Sequence, residues 1–288
     1  MEWLSTSVEE SGTLVTHFRT ALASRIKSVF EADLQEKFRQ QNELLRLRLE
    51  NTLLMEIVPP AVSGLPGTQK RTDAQSFPII GFNGQLVRAV ILLHLMQAVN
   101  FDVFVETGTY LAETCVLVAA QTKLPIRSCD LSYRRQSFAT VITELLKDRV
   151  RLEFLDSRLF LKQFFDDRQF SRPFFYLDAH WETDIPLLEE LRIILGLAEE
   201  FIIVIDDFHV PGDSGFGFDM YGDTIFNWDY IRSEVERYKD VVSVLYPAYP
   251  SILETGAKRG FVMIASNSLL SSISDNVGPD LLKVEAIR

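Results

Sequence analysis

Six carboxylates, standing at the ends of five apolar segments, are the residues whose types and spacing could do chemistry. Glu106 follows "DVFV", Asp130 closes "IRSCD", Asp156 closes "VRLEFLD", Asp178 closes "FFYLD", and Asp206 with Asp207 ends "FIIVIDD". A hydrophobic strand needs no acid at its end, and gathering six acids costs repulsion unless cations or hydrogen-bond donors meet them. Asp is a favoured helix N-cap, which accounts for single members of the set, Asp156 above all, but not for all six. Two histidines accompany the last three acids: His180 stands two residues after Asp178, and His209 two after Asp207. Imidazole titrates near neutral pH, so either could take a proton from a hydroxyl. His17 and His94 fall in helical patterns and read as structural.

Bringing these groups together requires strands that run in one direction. The five acid-tipped segments (102–106, 126–130, 150–156, 174–178 and 201–207) are separated by helical patterns, in which Phe138, Ile142 and Leu145 share one face and Leu187, Leu191 and Leu195 another. That alternation predicts an α/β protein with a doubly wound, mostly parallel sheet. Two further strands, "VVSVLY" (241–246) and "GFVMIAS" (260–266), are joined too closely for a helical crossover and predict a final antiparallel hairpin, giving seven strands. Ligands of open parallel sheets bind beyond the carboxyl ends of the strands, which is the rim where the acids converge.

Upstream, residues 13–57 lack glycine and proline and repeat apolar residues at helical spacing, and the proline-rich stretch 58–78 follows as a linker. The expected organisation is an N-terminal helical arm and linker over 1–78 and the α/β domain over 79–288. The arm could cover a site or pair subunits into a homo-oligomer.

Lys and Arg number 29 against 40 Asp and Glu, a formal net charge of -11, with no basic run, which excludes a phosphate-backbone partner such as nucleic acid. Two cysteines, Cys115 and Cys129, build no disulfide framework or cysteine metal site. The opening "MEWLSTSVEE" is polar and acidic, and no apolar run approaches the roughly 18 residues of a membrane helix, so a soluble, cytoplasmic protein without a membrane partner is expected.

The turn "ETGTY" (106–110) narrows the ligand. Dinucleotide pyrophosphates need repeated glycines for close backbone approach, and this turn has one glycine beside an acid. An acid there attracts a cation instead.

These features resemble the class I S-adenosylmethionine-dependent methyltransferases over about residues 80–266. The resemblance implies a Rossmann-like methyltransferase fold, with Glu106, Thr107, Gly108 and Thr109 against the methionine part of the cofactor, whose sulfonium and ammonium groups suit Glu106. It implies Asp130 at the ribose hydroxyls, Asp156 and Ser157 at the adenine, and Asp178 beside the cofactor. The family's first turn carries two or three glycines, so Thr107 and Thr109 become the expected donors. "FFYLDAHW" and "IIVIDDF" further resemble the metal-dependent catechol- and macrolide-type O-methyltransferases, which implies magnesium held by Asp178, Asp206 and Asp207. Three carboxylates suit that hard cation. The catechol-type lysine has no counterpart in "DAHWETD", which makes His180 the first choice of base and His209 the second.

The implied activity is methyl transfer to a hydroxyl of a small molecule, a natural product or sugar-like acceptor. A metal-independent enzyme with a histidine base and a non-catalytic scaffold with a vestigial cofactor site are the alternatives. The long loop after residue 207 carries Phe216, Phe218, Tyr221, Phe226 and Trp228, which could wall an acceptor pocket; for Trp228, core packing with Ile231 and Val235 is the preferred reading.

Overall fold

The computed structural model describes residues 81–132, 139, 143, 146, 148–179 and 184–287. The arm and linker over 1–78, the helical face of Phe138, Ile142 and Leu145, and His180 lie outside the described residues.

The chain enters through a short 3-10 turn (Phe82–Gly84) and α1 (Leu86–Ala98), then alternates: β1 (Val103–Thr107), α2 (Glu113–Gln121), β2 (Ile126–Asp130), β3 (Val150–Phe154), α3 (Ser157–Asp166), β4 (Pro173–Leu177), α4 (Leu187–Leu197) and β5 (Ile202–Ile205). A two-residue ribbon, β6 (Met220–Tyr221) with β7 (Thr224–Ile225), interrupts the long loop. Then come α5 (Trp228–Val235), β8 (Val242–Pro247), β9 (Val262–Ser266), α6 (Leu270–Asn276) and β10 (Leu282–Glu285).

The main sheet has the order β10-β8-β9-β5-β4-β1-β2-β3. β3, β2, β1, β4 and β5 run parallel, and β9, β8 and β10 follow in antiparallel pairings. The fold is therefore the expected Rossmann-like, doubly wound sheet with an antiparallel end. It has eight strands, not seven, among the described residues: "LKVE" (282–285) adds an edge strand that the sequence reading missed because only Leu282 of the four is buried.

The parallel strands form because Val, Ile and Phe, stiff or planar side chains that pack on a pleat, fill β1, β4 and β5 without polar interruption until their ends. All residues of these three strands are buried, covered on one face by Leu187, Leu191, Ile194 and Leu195 of α4 together with Phe160, Leu161 and Phe164 of α3. β3, at the edge, keeps only Val150 buried. α1 begins where Glu254 accepts the backbone N–H groups of Val87 and Arg88 at 2.9 and 3.1 Å, an acid against the positive end of the helix. No described helix is long and apolar enough to cross a membrane.

Candidate active site

The chain leaves β1 for β2 on one side and returns to β4 on the other, so β1 and β4 flank the point where connections diverge. Beyond their ends lies a cavity of about 580 Å³ lined by Gly108, Asp130, Asp156, Ser157 and Asp178 among others. A second, of about 50 Å³, shares Asn83, Gly108, Tyr110 and Asp178 with it and adds Glu106, Thr109 and Asp206. Seven of the eight residues expected at a cofactor thus line one or the other. Thr107 is the exception: its side chain is fully buried and its hydroxyl oxygen meets no hydrogen-bond partner among the described residues.

How the turn works with one glycine follows from its backbone. Gly108 has φ +85°, and a Cβ there would stand 2.6 Å from the carbonyl carbon of Asp178, so only glycine fits between β1 and β4. The other left-handed positions are taken by Tyr110 (φ 48°) and Ala112 (φ 62°), a conformation that costs a non-glycine residue energy and is held by its surroundings. The holding bonds come from β2. Gly108 and Thr109 donate their N–H groups to the Cys129 carbonyl at 2.9 and 3.0 Å, and Tyr110 donates to Asp130 Oδ2 at 2.9 Å. Asp130 Oδ1 accepts from Ser132 N at 2.6 Å. The carboxylate is a strap for the turn as well as part of the cavity wall, and among the described residues these two donors take about half of its four lone-pair sites.

Glu106 is 2% exposed and accepts from Ser128 Oγ at 2.8 Å and Cys115 Sγ at 3.0 Å, both neutral donors. Thr109 Oγ1 is 2.6 Å from Ser128 Oγ, so its hydroxyl serves this network. Burial, against the pull of those two donors and with the Asp178 and Asp130 charges adding to it, pushes the Glu106 carboxyl up to about 8. Among the described residues no cation pairs with it.

In the wall of the larger cavity, Asp156 caps α3 by accepting from Arg158 N at 2.9 Å, and Arg158 Nη2 bridges Asp156 and Asp184 at 2.6 and 2.7 Å. The bond from its own helix neighbour Arg158 holds Asp156 below the ordinary carboxylate range. The capping role expected for this residue is met. Arg158 and Asp184, both in the cavity wall, were not legible, because a surface Arg–Asp pair carries no local sequence signal.

The strand-five acids depart from expectation. Asp206 is 1% exposed, and both its oxygens are taken: Oδ1 by Arg88 Nη1 and the Asp207 N–H, Oδ2 by the Tyr176 hydroxyl and by Asn83 Nδ2 at 2.9 Å. Asp207, at φ 52°, accepts from Arg259 Nε at 2.5 Å, and Arg259 Nη2 reaches Asp219. Burial first, then the charges of Asp206 and Asp178, push Asp207 up to about 7 against the pull of Arg259. Among the described residues no three His, Cys, Asp or Glu side chains are grouped to hold a metal ion. Of the expected magnesium set of Asp178, Asp206 and Asp207, the last two are already met by guanidinium groups, Asp206 by Arg88 and Asp207 by Arg259.

His209 is half-buried, its ring edge-on to Phe218 with centroids 5.0 Å apart, and it lines neither cavity. Of the loop aromatics, Tyr221 reaches the larger cavity, donating its hydroxyl to Asp219 Oδ2 at 2.6 Å. Phe216 and Phe226 are buried, Phe216 against Tyr249, and Trp228 packs on the core as preferred.

The described residues thus form a doubly wound, Rossmann-like sheet with an acid-lined cleft beyond the carboxyl ends of its parallel strands. No family model and no curated protein matches the chain. Among solved structures it is similar to an O-methyltransferase from Bacillus cereus in complex with SAH, at 17% identity and TM-score 0.45 over 76% of this chain and 90% of that one. It is also similar to the O-methyltransferase TomG from Streptomyces achromogenes, involved in tomaymycin synthesis and in complex with SAM, at 15% identity and TM-score 0.43 over 61% and 78%. A third is the SAH-bound methyltransferase PaMTH1 from Podospora anserina, at 16% identity and TM-score 0.42 over 62% and 78%.

Proposed function

We propose that the chain is an S-adenosylmethionine-dependent methyltransferase acting on a hydroxyl of a small molecule. The observation that carries the reading is Glu106, a buried carboxyl in the wall of the smaller cavity, with neutral hydrogen-bond donors and no cationic partner among the described residues. Burying such a group is costly unless a charge meets it, and a ligand with a sulfonium and an ammonium supplies one. A pyrophosphate would supply no positive charge.

The larger cavity falls within the range of small-ligand sites, roughly 300–1,000 Å³. Asp130 retains acceptor capacity for sugar hydroxyls, and Leu155 and Ser157 lie where an adenine would be received. S-adenosylmethionine supplies the electrophilic methyl group. The residues of this chain contribute orientation: the turn fixed by Gly108 and Asp130 sets one partner, and the wall of Asp178 and Tyr221 faces the other. Holding two reactants in line is worth effective molarities that reach ~10⁵ M or more, so positioning is the largest contribution. The acceptor is proposed to be a natural-product or sugar-like hydroxyl because hydrogen-bonding Tyr221 and Asp178 stand beside apolar Leu131 and Leu155. His180 is the proposed base.

The test is calorimetric titration of the full chain with S-adenosylmethionine, S-adenosylhomocysteine and NAD. Saturable binding of the first two without the third is expected. Binding of NAD alone, or of none of them, removes the proposal.

A further inference from the structure

We infer that two arginines do at the strand-five edge what a divalent cation would otherwise do, so that this site works without a metal. Its bearing on methyl transfer rests on the reading above, but the arrangement itself is read from this chain's own side chains.

A carboxylate offers about four lone-pair sites, and Asp206 has four donors: Arg88 Nη1, the Asp207 N–H at 2.7 Å, Asn83 Nδ2 at 2.9 Å and the Tyr176 hydroxyl. Arg88 is fully buried, so a cation displacing it would leave a guanidinium without a counter-charge away from water. Its Nη2 donates to the Arg259 carbonyl and its guanidinium stands 5.0 Å over the Phe261 ring.

Arg259 completes the arrangement from the other side. Its fork takes Asp207 on Nε and Asp219 on Nη2, a geometry that a planar guanidinium matches and a point charge does not require. Gln85 fixes its backbone in both directions, donating Nε2 to the Arg259 carbonyl at 2.8 Å and accepting the Arg259 N–H at 2.6 Å. Gly217, whose Cβ would stand 3.2 Å from Arg259 Nη1, leaves the side chain room. From Arg259 the chain of bonds runs through Asp219 to the Tyr221 hydroxyl on the wall of the larger cavity. Arg259 is thus a positioning residue: it holds Asp219, which holds Tyr221.

The experiment needs neither cofactor nor acceptor, which separates its failure from failure of the methyltransferase reading. Full-length protein freed of metal by a chelator is titrated with Mg²⁺ and with Mn²⁺ while heat and thermal unfolding are followed. Occupancy at about 100 times a dissociation constant would raise Tm by roughly 5–10 °C, whereas a shift below about 1 °C and no saturable heat are expected. A rise of the larger size in the wild-type protein overturns the inference. Arg259→Ala removes the guanidinium from Asp207 and Asp219 and is expected to gain Mn²⁺-dependent stabilisation, which Arg259→Lys, keeping a positive charge, does not. An Arg259→Ala protein that unfolds identically with and without Mn²⁺ overturns the substitution of arginine for a cation. Should that variant fail to fold, the wild-type titration decides alone.

Discussion

Arg88, in the first turn of α1, is ion-paired with Asp206 at the end of β5, and the two side chains are 0% and 1% exposed. Burial works against the charge of Arg88, but the Asp206 carboxylate, together with Tyr176 and Tyr249, more than offsets it and holds the guanidinium protonated above its ordinary range. Removing one partner of such a pair strands the other in a low-dielectric interior. Arg88→Met is therefore expected to cost about 3–5 kcal/mol of stability, and the double variant Arg88→Met with Asp206→Leu to recover a large part of it. Urea unfolding of the three proteins measures this. A single-variant loss below about 1 kcal/mol, the range of an exposed pair, contradicts the buried assignment.

Asp130 couples the turn to the proposed cofactor. Asp130→Ala removes the acceptor of Tyr110 N and Ser132 N and, with it, the acceptor proposed for the ribose hydroxyls. A charged hydrogen bond contributes about 1.5–3 kcal/mol, so S-adenosylmethionine affinity is expected to fall roughly 10- to 150-fold. Asp130→Asn, which keeps one acceptor oxygen, is expected to fall between the two. Calorimetry on variants with native circular dichroism checks the order, and equal affinities in all three proteins would place the ribose elsewhere.

What the sequence showed and what it hid divide along physical lines. The parallel strands were legible because each is an uninterrupted apolar run ending at an acid, and burial on both faces demands that pattern. Convergence of Glu106, Asp130, Asp156 and Asp178 followed from strand direction alone. The partners of the strand-five acids did not, because Arg88 meets Asp206 across 118 positions and Arg259 meets Asp207 across 52, contacts that no local spacing encodes. One trace existed: Arg88 is the only charged residue in "LVRAVILLHLMQA", and a lone charge inside an apolar helix needs a buried partner. β10 stayed hidden for the opposite reason, since an edge strand with three exposed residues of four has no apolar run to read.

The two histidines are expected to separate cleanly in turnover, once an accepted hydroxyl is found. His209 lines neither cavity, and its ring rests on Phe218, so His209→Ala is expected to change the rate by less than about 10-fold, below the usual worth of a general base. His180→Ala, if that residue is the base, lowers the rate about 10²- to 10⁴-fold and recovers as pH rises and the acceptor ionises unaided. A pH profile unchanged by His180→Ala would transfer the role to water or to another group.

Glu106 makes both stability and cofactor affinity depend on pH. Its carboxyl is raised from an ordinary 4.5 to about 8 by burial, so the folded protein holds this proton more tightly than the unfolded chain does. For an acid shifted upward, the stabilisation is fully present below about 4.5 and is lost as pH rises through about 8. Asp207, raised from 3.8 to about 7, adds a slope of the same sign, so the informative quantity is the difference between wild type and Glu106→Gln, in which Asp207 cancels. Glu106→Gln keeps the shape and the bond from Ser128 while removing the titration, so its stability is expected to fall less steeply between pH 5 and about 8 than that of the wild type. Binding of a cation reverses the preference: it favours the carboxylate, so S-adenosylmethionine binding near pH 7 should release up to one proton, and affinity should rise with pH until about 8. Titrations in two buffers of different ionisation enthalpy count that proton. Glu106→Gln should release none and should bind more weakly than wild type above pH 8, where the wild-type carboxylate is charged. Identical proton release and parallel stability curves in the two proteins would mean that Glu106 neither titrates in this range nor meets the cofactor's charge.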